Sequence, residues 1–489
     1  MSKFVRGPTG EFSLSLRESI LTREREARRL DLSRDDLDEL WAAVGERILL
    51  TAAERGAALA YTAGEPDEPA FLIDEASGAV ADALATLDRV AHLGINQTSG
   101  GHFAFIPGGG LFPAALGDLM ADVANPYAGV RFAAPAATAM ERSLVHWMAE
   151  LVGYPQTAGG DLTSGASIAH LEGIVTARDA AGVRPAESSE TVVYLTSETH
   201  HCIEKALRIC GLAECVVRQV AVDERRRLRA DALDALVRAD RRAGLRPWLV
   251  VATAGTIDAG AVDPLDASAD VADEHDLWLH VDAAYGGFFV LTAHGREVLA
   301  GIERSRTVVM DPHKGLFLPF GSGALIVRDE QQLAEAHRYS ADYLADARGA
   351  GAYSASDLSV ELSRPFRGPR LWLPLKHFGL APFRAALEEK LLLARYLHSR
   401  LSETPRWVVG PEPDLSVVTF RYLPERGDAD EFNRRLLEAV LADGSTVISG
   451  TKLDGVYTLR AGILHYRSHL EHVDALLEVL KREALQLET

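Results

Sequence analysis

The chain has 489 residues, of which 47% are hydrophobic and 25% are charged, a composition typical of a globular enzyme with two or three domains. Its 70 acidic and 51 basic residues give a formal net charge of -19. This charge excludes sequence-independent binding to nucleic acid and disfavours binding to an anionic membrane surface. The sequence has neither a secretory signal nor a run of about twenty apolar residues. We therefore expect a cytoplasmic protein.

The first elements in chain order are helical. Residues 33–61 repeat apolar residues at helical spacing after Ser33 and predict an amphipathic helix, and residues 75–94 show a second helical pattern. The loop NQTSGGHFAFIPGGGLFP then breaks regular structure with glycine and proline. This loop is either a substrate-facing segment or a plain connector.

From about residue 109 to residue 330, helices alternate with short strand-like runs. These runs are TVVYLTS, CVVRQVAV, PWLVVATAG, LWLHVDAAY, RTVVMD and GALIVRD. Short apolar strands separated by helical crossovers indicate an α/β fold with a mostly parallel sheet that is buried on both faces.

Two long helical stretches follow, over residues 366–403 and 428–444, together with three further strand-like runs. This mixture is typical of a smaller α+β domain. We predict three parts: an N-terminal helical segment over residues 1–108, a large domain over 109–377 and a small C-terminal domain over 378–489.

The three cysteines, Cys202, Cys210 and Cys215, occur in one helical segment. No second pair lies elsewhere in the sequence to complete a metal site. We therefore expect buried or idle thiols and no metal.

Polar side chains follow strands of the predicted parallel sheet, where catalytic groups gather in such folds. Asp282 ends the run in WLHVDAAYGG, Lys314 lies in DPHKG after the next strand, and His200 and His201 precede a helix in THHCIEKA. Pyridoxal phosphate needs an acid beside its pyridine nitrogen, a lysine for the Schiff base and a flat side chain against its ring. The small residue Ala284 would leave room at the other ring face. Together these groups predict a pyridoxal-phosphate site.

The phosphate of such a cofactor needs backbone N–H groups at a helix start. The segment GGDLTSGASIAHLEGIVTAR offers them at Gly165, Ala166 and Ser167. Taken alone, a turn of this kind is more often only a helix cap. It becomes evidence for a phosphate site in the company of Asp282 and Lys314.

These segments resemble a known family. In order, the chain contains TSGAS, SETHHCIEKA, ATAGTIDAGAVDPL, WLHVDAAYGG, DPHKG and LSRPFRGPRLWLPLKHFG. This ordered set resembles the group II pyridoxal-phosphate decarboxylases, relatives of aromatic-amino-acid, histidine and glutamate decarboxylases, from about residue 95 to residue 380. The resemblance implies a fold-type I homodimer with shared active sites that decarboxylates an L-amino acid to the amine and carbon dioxide.

The resemblance also implies a role for each matched residue. Lys314 would form the Schiff base, and Asp282 would pair with the pyridine nitrogen. His200 would stack on one ring face, and Ala284 would pack on the other. The other implied cofactor contacts are Gly165, Ala166, Ser167, Thr256 and His313, while His201 would be structural.

Three positions depart from the family pattern. Ile257 stands where members commonly have a second threonine, Asp311 replaces the usual asparagine, and Gly315 replaces a frequent tryptophan. A carboxylate at position 311 would be repelled by a nearby phosphate unless it is turned away or hydrogen-bonded.

Residues 341–366 are rich in glycine, alanine and serine, as expected of a lid. In the family, a loop tyrosine from the partner subunit protonates the carbon left by carbon dioxide. Tyr353 lies nearest the expected place, and Tyr343 is the alternative. Either tyrosine could instead be an ordinary loop aromatic.

The two glycine-rich and proline-rich loops before residue 136 predict the substrate contacts. Their apolar members are Phe103, Phe105, Ile106, Tyr127 and Phe132. This set favours an aromatic or branched aliphatic substrate, whereas Arg131 could instead bind an acidic side chain.

Three alternative functions remain at this stage. Aminotransfer and oxidative decarboxylation-deamination to an aldehyde would use the same cofactor. A non-catalytic phosphate-binding module on a doubly wound sheet predicts a dinucleotide glycine fingerprint, which GGDLTSGAS does not match, and it leaves Lys314 unexplained.

Overall fold

The computed structural model describes residues 10–65, 71, 73, 78–338 and 353–489. The chain divides into two units, one formed by Met1–Arg55 with Ala63–Leu93 and the other by Gly56–Thr62 with Gly94–Thr489. All the motif residues quoted above for the cofactor lie in the second unit.

The described part of the first unit is helical, with α1 (Gly10–Ala27), α2 (Arg34–Glu54) and α3 (Val80–His92). Helix α2 begins after Ser33, whose side chain accepts a hydrogen bond from Asp36 N–H while the Asp36 carboxylate accepts one from Ser33 N–H. The sequence predicted that this helix continues to residue 61. It ends at Glu54 because the next segment joins the second unit, where Ala60 N–H donates to the Gly444 carbonyl at 2.9 Å.

The second unit contains the remaining elements. Its helices are α4 (Phe112–Ala124), α5 (Pro135–Leu151), α6 (Ala166–Ala180), α7 (Cys202–Ile209), α8 (Ala230–Arg242), α9 (Leu265–Glu274), α10 (Ala293–Val298), α11 (Pro312–Gly315), α12 (Glu330–His337), α13 (Gly368–Phe378), α14 (Ala381–Ser402), α15 (Ala429–Asp443) and α16 (Leu470–Glu488). Its strands are β1 (Tyr61–Thr62), β2 (Gly94–Ile95), β3 (Gly159–Thr163), β4 (Thr191–Leu195), β5 (Val216–Gln219), β6 (Arg246–Thr253), β7 (Trp278–Asp282), β8 (Thr307–Met310), β9 (Gly323–Val327), β10 (Trp407–Val409), β11 (Val417–Tyr422), β12 (Ser449–Leu453) and β13 (Val456–Gly462). Within the described residues, none of the helices has the length and apolar character needed to span a bilayer.

Seven strands form a large sheet in the order β3-β9-β8-β7-β6-β4-β5. The pairs β4/β5, β4/β6, β6/β7 and β7/β8 are parallel, whereas β9 is antiparallel to both β3 and β8. Strands β4, β7, β8 and β9 are buried along their whole length, as near-continuous apolar runs require. The predicted α/β fold with a mostly parallel sheet is confirmed.

The sequence analysis missed strand β3. Its residues, GGDLT, include two glycines and an aspartate, which have low strand propensity. The strand forms because it pairs antiparallel with β9, from Gly159 opposite Val327 to Thr163 opposite Gly323. Its end leads directly into α6, so this pairing fixes where α6 begins.

Four strands form a second, antiparallel sheet in the order β10-β11-β13-β12. Phe420, Leu436, Leu459 and Leu476 belong to its own hydrophobic core, which agrees with the predicted α+β character of the C-terminal part. The helical stretch predicted over residues 366–403 is two helices, α13 and α14, because Gly379 adopts a left-handed φ of +68°. The domain boundaries at residues 108 and 377 stay predictions.

A buried arginine connects the segment before α13 to β3 and α5. The Arg364 side chain is 0% exposed, and its Nη1 forms an ion pair with Asp161. Its Nη2 donates to the Leu162 carbonyl at 2.7 Å and lies 3.3 Å from Glu141 Oε2. Burial raises the pKa of Glu141, so this carboxylate depends on the neighbouring arginine for its charge.

Replacing Arg364 with leucine is expected to lower the free energy of unfolding by about 3–5 kcal/mol, because it leaves two buried carboxylates without their cation. Urea unfolding followed by circular dichroism measures this loss. The matched control is Arg229→Ala, which breaks an ion pair with Asp231 whose side chains are 49% and 70% exposed. The control should leave the urea midpoint unchanged, and an equal shift in both variants would contradict the prediction.

Candidate active site

A cavity of about 370 Å³ lies where the parallel strands of the large sheet end. In open α/β sheets, ligands bind outside the carboxyl ends of the strands. The cavity is lined by Phe105, Ile106, Ser164, Gly165, Ala166, Ser167, Ile168, His170, Glu198, His200, Cys202, Thr253, Gly255, Ile257, Asp282, Ala284, Tyr285, Asp311, His313 and Lys314. Most of the polar members follow β3, β4, β7 and β8, so the sheet topology brings together motifs that are far apart in sequence.

Asp282, the last residue of β7, is an ionised carboxylate in the cavity wall. Its Oδ1 accepts a hydrogen bond from Ala284 N–H at 3.1 Å and lies 3.4 Å from His170 Nε2. Burial alone would raise the pKa of Asp282, but the charge and hydrogen bond of His170, with the charge of Lys314, hold it below its usual range. The pocket therefore contains a fixed negative charge.

Lys314 lies in the short helix α11 directly after β8. Its Nζ is 2.9 Å from Asp311 Oδ2, and its side chain is 23% exposed. Burial lowers the pKa of Lys314, but Asp311 and then Asp282 outweigh burial and raise it above the usual value. In this structure Lys314 is an ammonium between two carboxylates, which explains why a lysine is tolerated at a buried strand end.

The start of α6 forms a cradle of backbone N–H groups. Gly165, which precedes the helix, has a φ of +152° that L side chains rarely adopt. A Cβ on Gly323 in β9 would lie 2.5 Å from Gly165 Cα, so two glycines let the backbones meet here. His313 packs beside this turn, and its Nδ1 lies 2.6 Å from the Ser322 carbonyl. Free N–H groups at a helix start bind anions.

His200 and Cys202 follow β4 and face the same cavity. His200 Nδ1 accepts a hydrogen bond from Cys202 N–H at 3.3 Å, while His201 is exposed, outside the pocket. Burial raises the pKa of Cys202, but hydrogen bonds from His170 and His200 outweigh burial and lower it to about 7. We expected a buried or idle thiol from the sequence; Cys202 is buried but lines the pocket.

Comparison with known proteins identifies the family. Residues 79–423 match the model described as the pyridoxal-dependent decarboxylase conserved domain. The chain belongs to this family. Aromatic-L-amino-acid decarboxylase of Bacillus atrophaeus is 31% identical to this pyridoxal-dependent decarboxylase over 407 residues, which cover 82% of this chain and 84% of the relative.

Two further proteins, one relative and one solved structure, are similar to this chain over most of its length. Phenylacetaldehyde synthase of Arabidopsis thaliana is 28% identical over 400 residues, covering 79% of the decarboxylase and 82% of the relative. The crystal structure of Oryza sativa TDC with PLP and tryptamine has a TM-score of 0.87 at 28% identity and covers 94% of this chain and 99% of that chain. The predicted family, enzyme class and cofactor are confirmed.

The pocket of the decarboxylase fits pyridoxal phosphate. Asp282 offers an ionised carboxylate to a protonated ring nitrogen, and Lys314 offers the amine for an imine. The helix start after Gly165 offers the N–H groups of Ala166 and Ser167 to the phosphate. Ala284 is 6% exposed and lines the same cavity, leaving space for the ring.

Two predicted site residues make other contacts and lie outside this cavity. The Thr256 side chain does not line the cavity; its hydroxyl accepts a hydrogen bond from Ala261 N–H at 3.1 Å, so it stabilises its own loop. Phe103 is 0% exposed and packs in the core of the small sheet. Its N–H donates to the Val447 carbonyl at 2.7 Å, and this strand-like pairing turns its ring inward, whereas Phe105 does line the pocket.

Three more predicted residues lie outside this cavity. Tyr127 is 41% exposed, and Arg131 is exposed on the same surface segment. Tyr353 lines a separate cavity of about 30 Å³ next to Glu141 and Asp161. Within one chain these residues are not brought to Lys314, and Tyr343 lies outside the described residues.

The structure adds pocket residues that sequence reasoning missed. The additions with the clearest chemistry are His170, Glu198 and Tyr285. Glu198 forms a 2.7 Å ion pair with Arg226, so its charge is compensated. His170 carried a sequence signal that was not used, since it is a histidine four residues into a helix that begins at the phosphate turn.

Proposed function

We propose that this decarboxylase converts an L-amino acid with an apolar or aromatic side chain to the amine and carbon dioxide. The observation that carries the proposal is Lys314 facing a cavity that also contains the ionised Asp282 and His200. Pyridoxal phosphate, when bound, supplies a ring that accepts the electron pair left when the substrate carboxylate departs.

Each group of the motif set would have a distinct task. Lys314 Nζ would bind the cofactor covalently, and Asp282 would keep the ring nitrogen protonated. Because Nδ1 of His200 accepts the Cys202 N–H, its hydrogen resides on Nε2, which is the donor available to the substrate carboxylate. The N–H groups of Ala166 and Ser167 at the helix start would hold the phosphate, since the Gly165 N–H donates to Thr163 Oγ1 at 3.3 Å.

The cavity lining supports an apolar substrate side chain. Phe105, Ile106, Ile257 and Tyr285 form much of its uncharged wall. No arginine lines the cavity among the described residues, so Arg131 does not recognise an acidic side chain within one chain. The aromatic-L-amino-acid decarboxylase of Bacillus atrophaeus also supports an aromatic substrate.

We further propose a homodimer in which each subunit contributes to the other active site. In the first unit, α2 has no buried residue and exposes Leu37, Trp41 and Leu49 by 49%, 56% and 62%. In the second unit, Arg131 N–H donates to Ser354 Oγ at 3.1 Å. This bond joins two segments with exposed apolar side chains, namely Tyr127, Phe132, Val360 and Leu362. Exposed apolar groups of this kind mark interaction surfaces.

The dimer would give Tyr353 its role. Since Tyr353 lines a different cavity from Lys314 in its own chain, we propose that its hydroxyl returns a proton to the substrate α-carbon in the partner's pocket. The similarity to the Arabidopsis thaliana phenylacetaldehyde synthase favours a second candidate function, which is oxidative formation of an aldehyde at the same kind of site.

Product analysis tests these proposals. Purified holoenzyme is incubated with a panel of L-amino acids, and carbon dioxide, amine, aldehyde and peroxide are measured. We expect amine and carbon dioxide in equal amounts, with aromatic substrates preferred. Aldehyde and peroxide formed in equal amounts would refute the proposal of amine formation and would support oxidative aldehyde formation.

Tyr353→Phe is expected to slow amine formation by about 10²-fold or to divert it to aldehyde, because a proton donor is removed while cofactor binding is kept. The same product analysis and the cofactor absorbance measure both effects. Tyr457→Phe, a change in β13 outside the cavity, is the matched control. Unchanged amine yield in Tyr353→Phe would assign the proton donor elsewhere.

Asp311→Asn is expected to shift the pH dependence of cofactor uptake downward. Only the neutral amine of Lys314 attacks an aldehyde, and Asp311 raises the pKa of that amine, as Asp282 and Cys202 do to a smaller extent. Removing the carboxylate at position 311 lowers this pKa, so more neutral amine is present at neutral pH, about tenfold for each pKa unit. Stopped-flow absorbance after mixing apoprotein with pyridoxal phosphate measures the rate.

The control for this variant is Asp454→Asn, at a carboxylate whose side chain is 84% exposed. It should leave the pH midpoint of uptake unchanged. A midpoint in Asp311→Asn that stays in place or rises would contradict the prediction.

A further inference from the structure

A line of hydrogen bonds runs through the core of the large sheet and ends behind Asp282. Trp278 Nε1 donates to Thr307 Oγ1 at 2.9 Å, and Thr307 Oγ1 lies 2.8 Å from His280 Nδ1. His280 Nε2 lies 2.8 Å from His170 Nδ1. The other nitrogen of His170, Nε2, is 3.4 Å from Asp282 Oδ1. Thr307 and both histidines are 0% exposed.

The protonated form of His170 sets the hydrogens on this line. Its imidazolium carries a hydrogen on both nitrogens, so Nδ1 donates to His280 Nε2 while Nε2 faces Asp282. Burial and the charge of His170 lower the pKa of His280 to about 3, so His280 is neutral and donates from Nδ1 to Thr307 Oγ1. An indole N–H only donates, so Thr307 Oγ1 also accepts from Trp278.

The end of the line faces two acidic groups of the pocket. His170 Nε2 is buried and lies 3.4 Å from Asp282 Oδ1, and the Cys202 thiol is its other neighbour. Burial lowers the pKa of His170, but Asp282, with Cys202, outweighs burial and raises it to about 10. The reciprocal effect keeps Asp282 ionised despite burial.

We propose that His170 is a positioning residue for decarboxylation, which, with His280 and Thr307 behind it, holds Asp282 ionised and oriented toward the ring nitrogen of the cofactor. This inference rests on the role proposed above for Asp282. Because His170 lies on α6, His280 on β7 and Thr307 on β8, the carboxylate is positioned by the sheet core as well as by the N–H of Ala284.

The test measures protonation of the cofactor itself. Wild type, His170→Asn and His170→Leu are loaded with pyridoxal phosphate whose ring nitrogen carries the heavy isotope, and the nitrogen NMR shift is recorded. Asparagine keeps an N–H donor near Asp282, whereas leucine keeps bulk without a donor. We expect a protonated-ring signal in wild type and His170→Asn, and a shift toward the neutral-ring signal in His170→Leu. Asp282→Asn gives the reference shift of a neutral ring nitrogen.

Turnover gives a second measurement. His170→Leu is expected to lower kcat by about tenfold or more while KM changes little, and His170→Asn should restore most of kcat. An unchanged nitrogen signal in His170→Leu overturns the inference. If that variant does not fold or bind the cofactor, Thr307→Val decides instead, because it replaces the hydroxyl behind His280, which also accepts from Trp278, with a methyl group of similar size. A partial shift in Thr307→Val supports the inference, and an unchanged signal overturns it.

The two proposals fail differently in this experiment. A neutral ring nitrogen in the wild-type enzyme would refute the role of Asp282 and, with it, the inference. A protonated ring nitrogen in both wild type and His170→Leu would refute only the role of His170.

Discussion

Replacing Lys314 with alanine is expected to abolish the visible absorbance of bound cofactor and to lower turnover by about 10³-fold or more, the scale of loss when a group that touches the reacting atoms is removed. Lys314 is the one lysine that lines the cavity among the described residues. No other described amine is placed to form the imine. Absorbance spectroscopy of the purified protein with added pyridoxal phosphate measures the first effect, and amine formation measures the second.

Lys314→Arg separates charge from imine formation. An arginine keeps a cation beside Asp311, whose Oδ2 is 2.9 Å from Lys314 Nζ, but a guanidinium does not form the imine. We expect Lys314→Arg to remain as inactive and as colourless as Lys314→Ala. A retained visible band in either variant would show that a different lysine binds the cofactor.

Asp282→Asn is expected to retain cofactor but to lower kcat by about 10²–10³-fold, the scale for removal of one preorganised charge. The neutral amide does not hold a proton on the ring nitrogen, and a neutral pyridine is a weak electron acceptor. Cofactor content and kcat are measured on the same preparation.

The matched control for Asp282→Asn is Asp240→Asn. Asp240 is a buried carboxylate of the same unit that bonds Tyr194 and Arg218 and does not line the cavity. It should lower thermal stability and leave kcat nearly unchanged. Near-normal kcat in Asp282→Asn would contradict the assignment of the ring-nitrogen partner.

The parts of the fold that the sequence predicted depend on local pattern. Strands such as β6 and β8 are dense in β-branched residues, and their order with the helices indicates parallel pairing. Strand β3 was missed because its stability comes from pairing with β9, about 160 residues later, and not from its own composition. The break at Gly379 was missed because both flanking segments are helical in pattern.

The difference between local sequence signals and contacts between distant segments also decides which site residues were predictable. Lys314, Asp282 and the Gly165 turn were predictable because each has a role set by its own short motif. Phe103 was misplaced because its direction is set by pairing with Val447, and sequence spacing does not show that pairing. His170 was missed because its partner in the pocket, Asp282, is on another element.

The pairing of strand β9 restricts which sequence changes this enzyme tolerates. It lies antiparallel between β3 and β8, with Gly323 opposite Thr163 and Ala324 opposite Met310. Because side chains alternate along a strand, a one-residue shift of β9 against its two neighbours would exchange the two faces of β9. A side chain would then replace the glycine that touches the anion-binding turn. The register of β9 against β3 and β8 should therefore be nearly invariant in this enzyme.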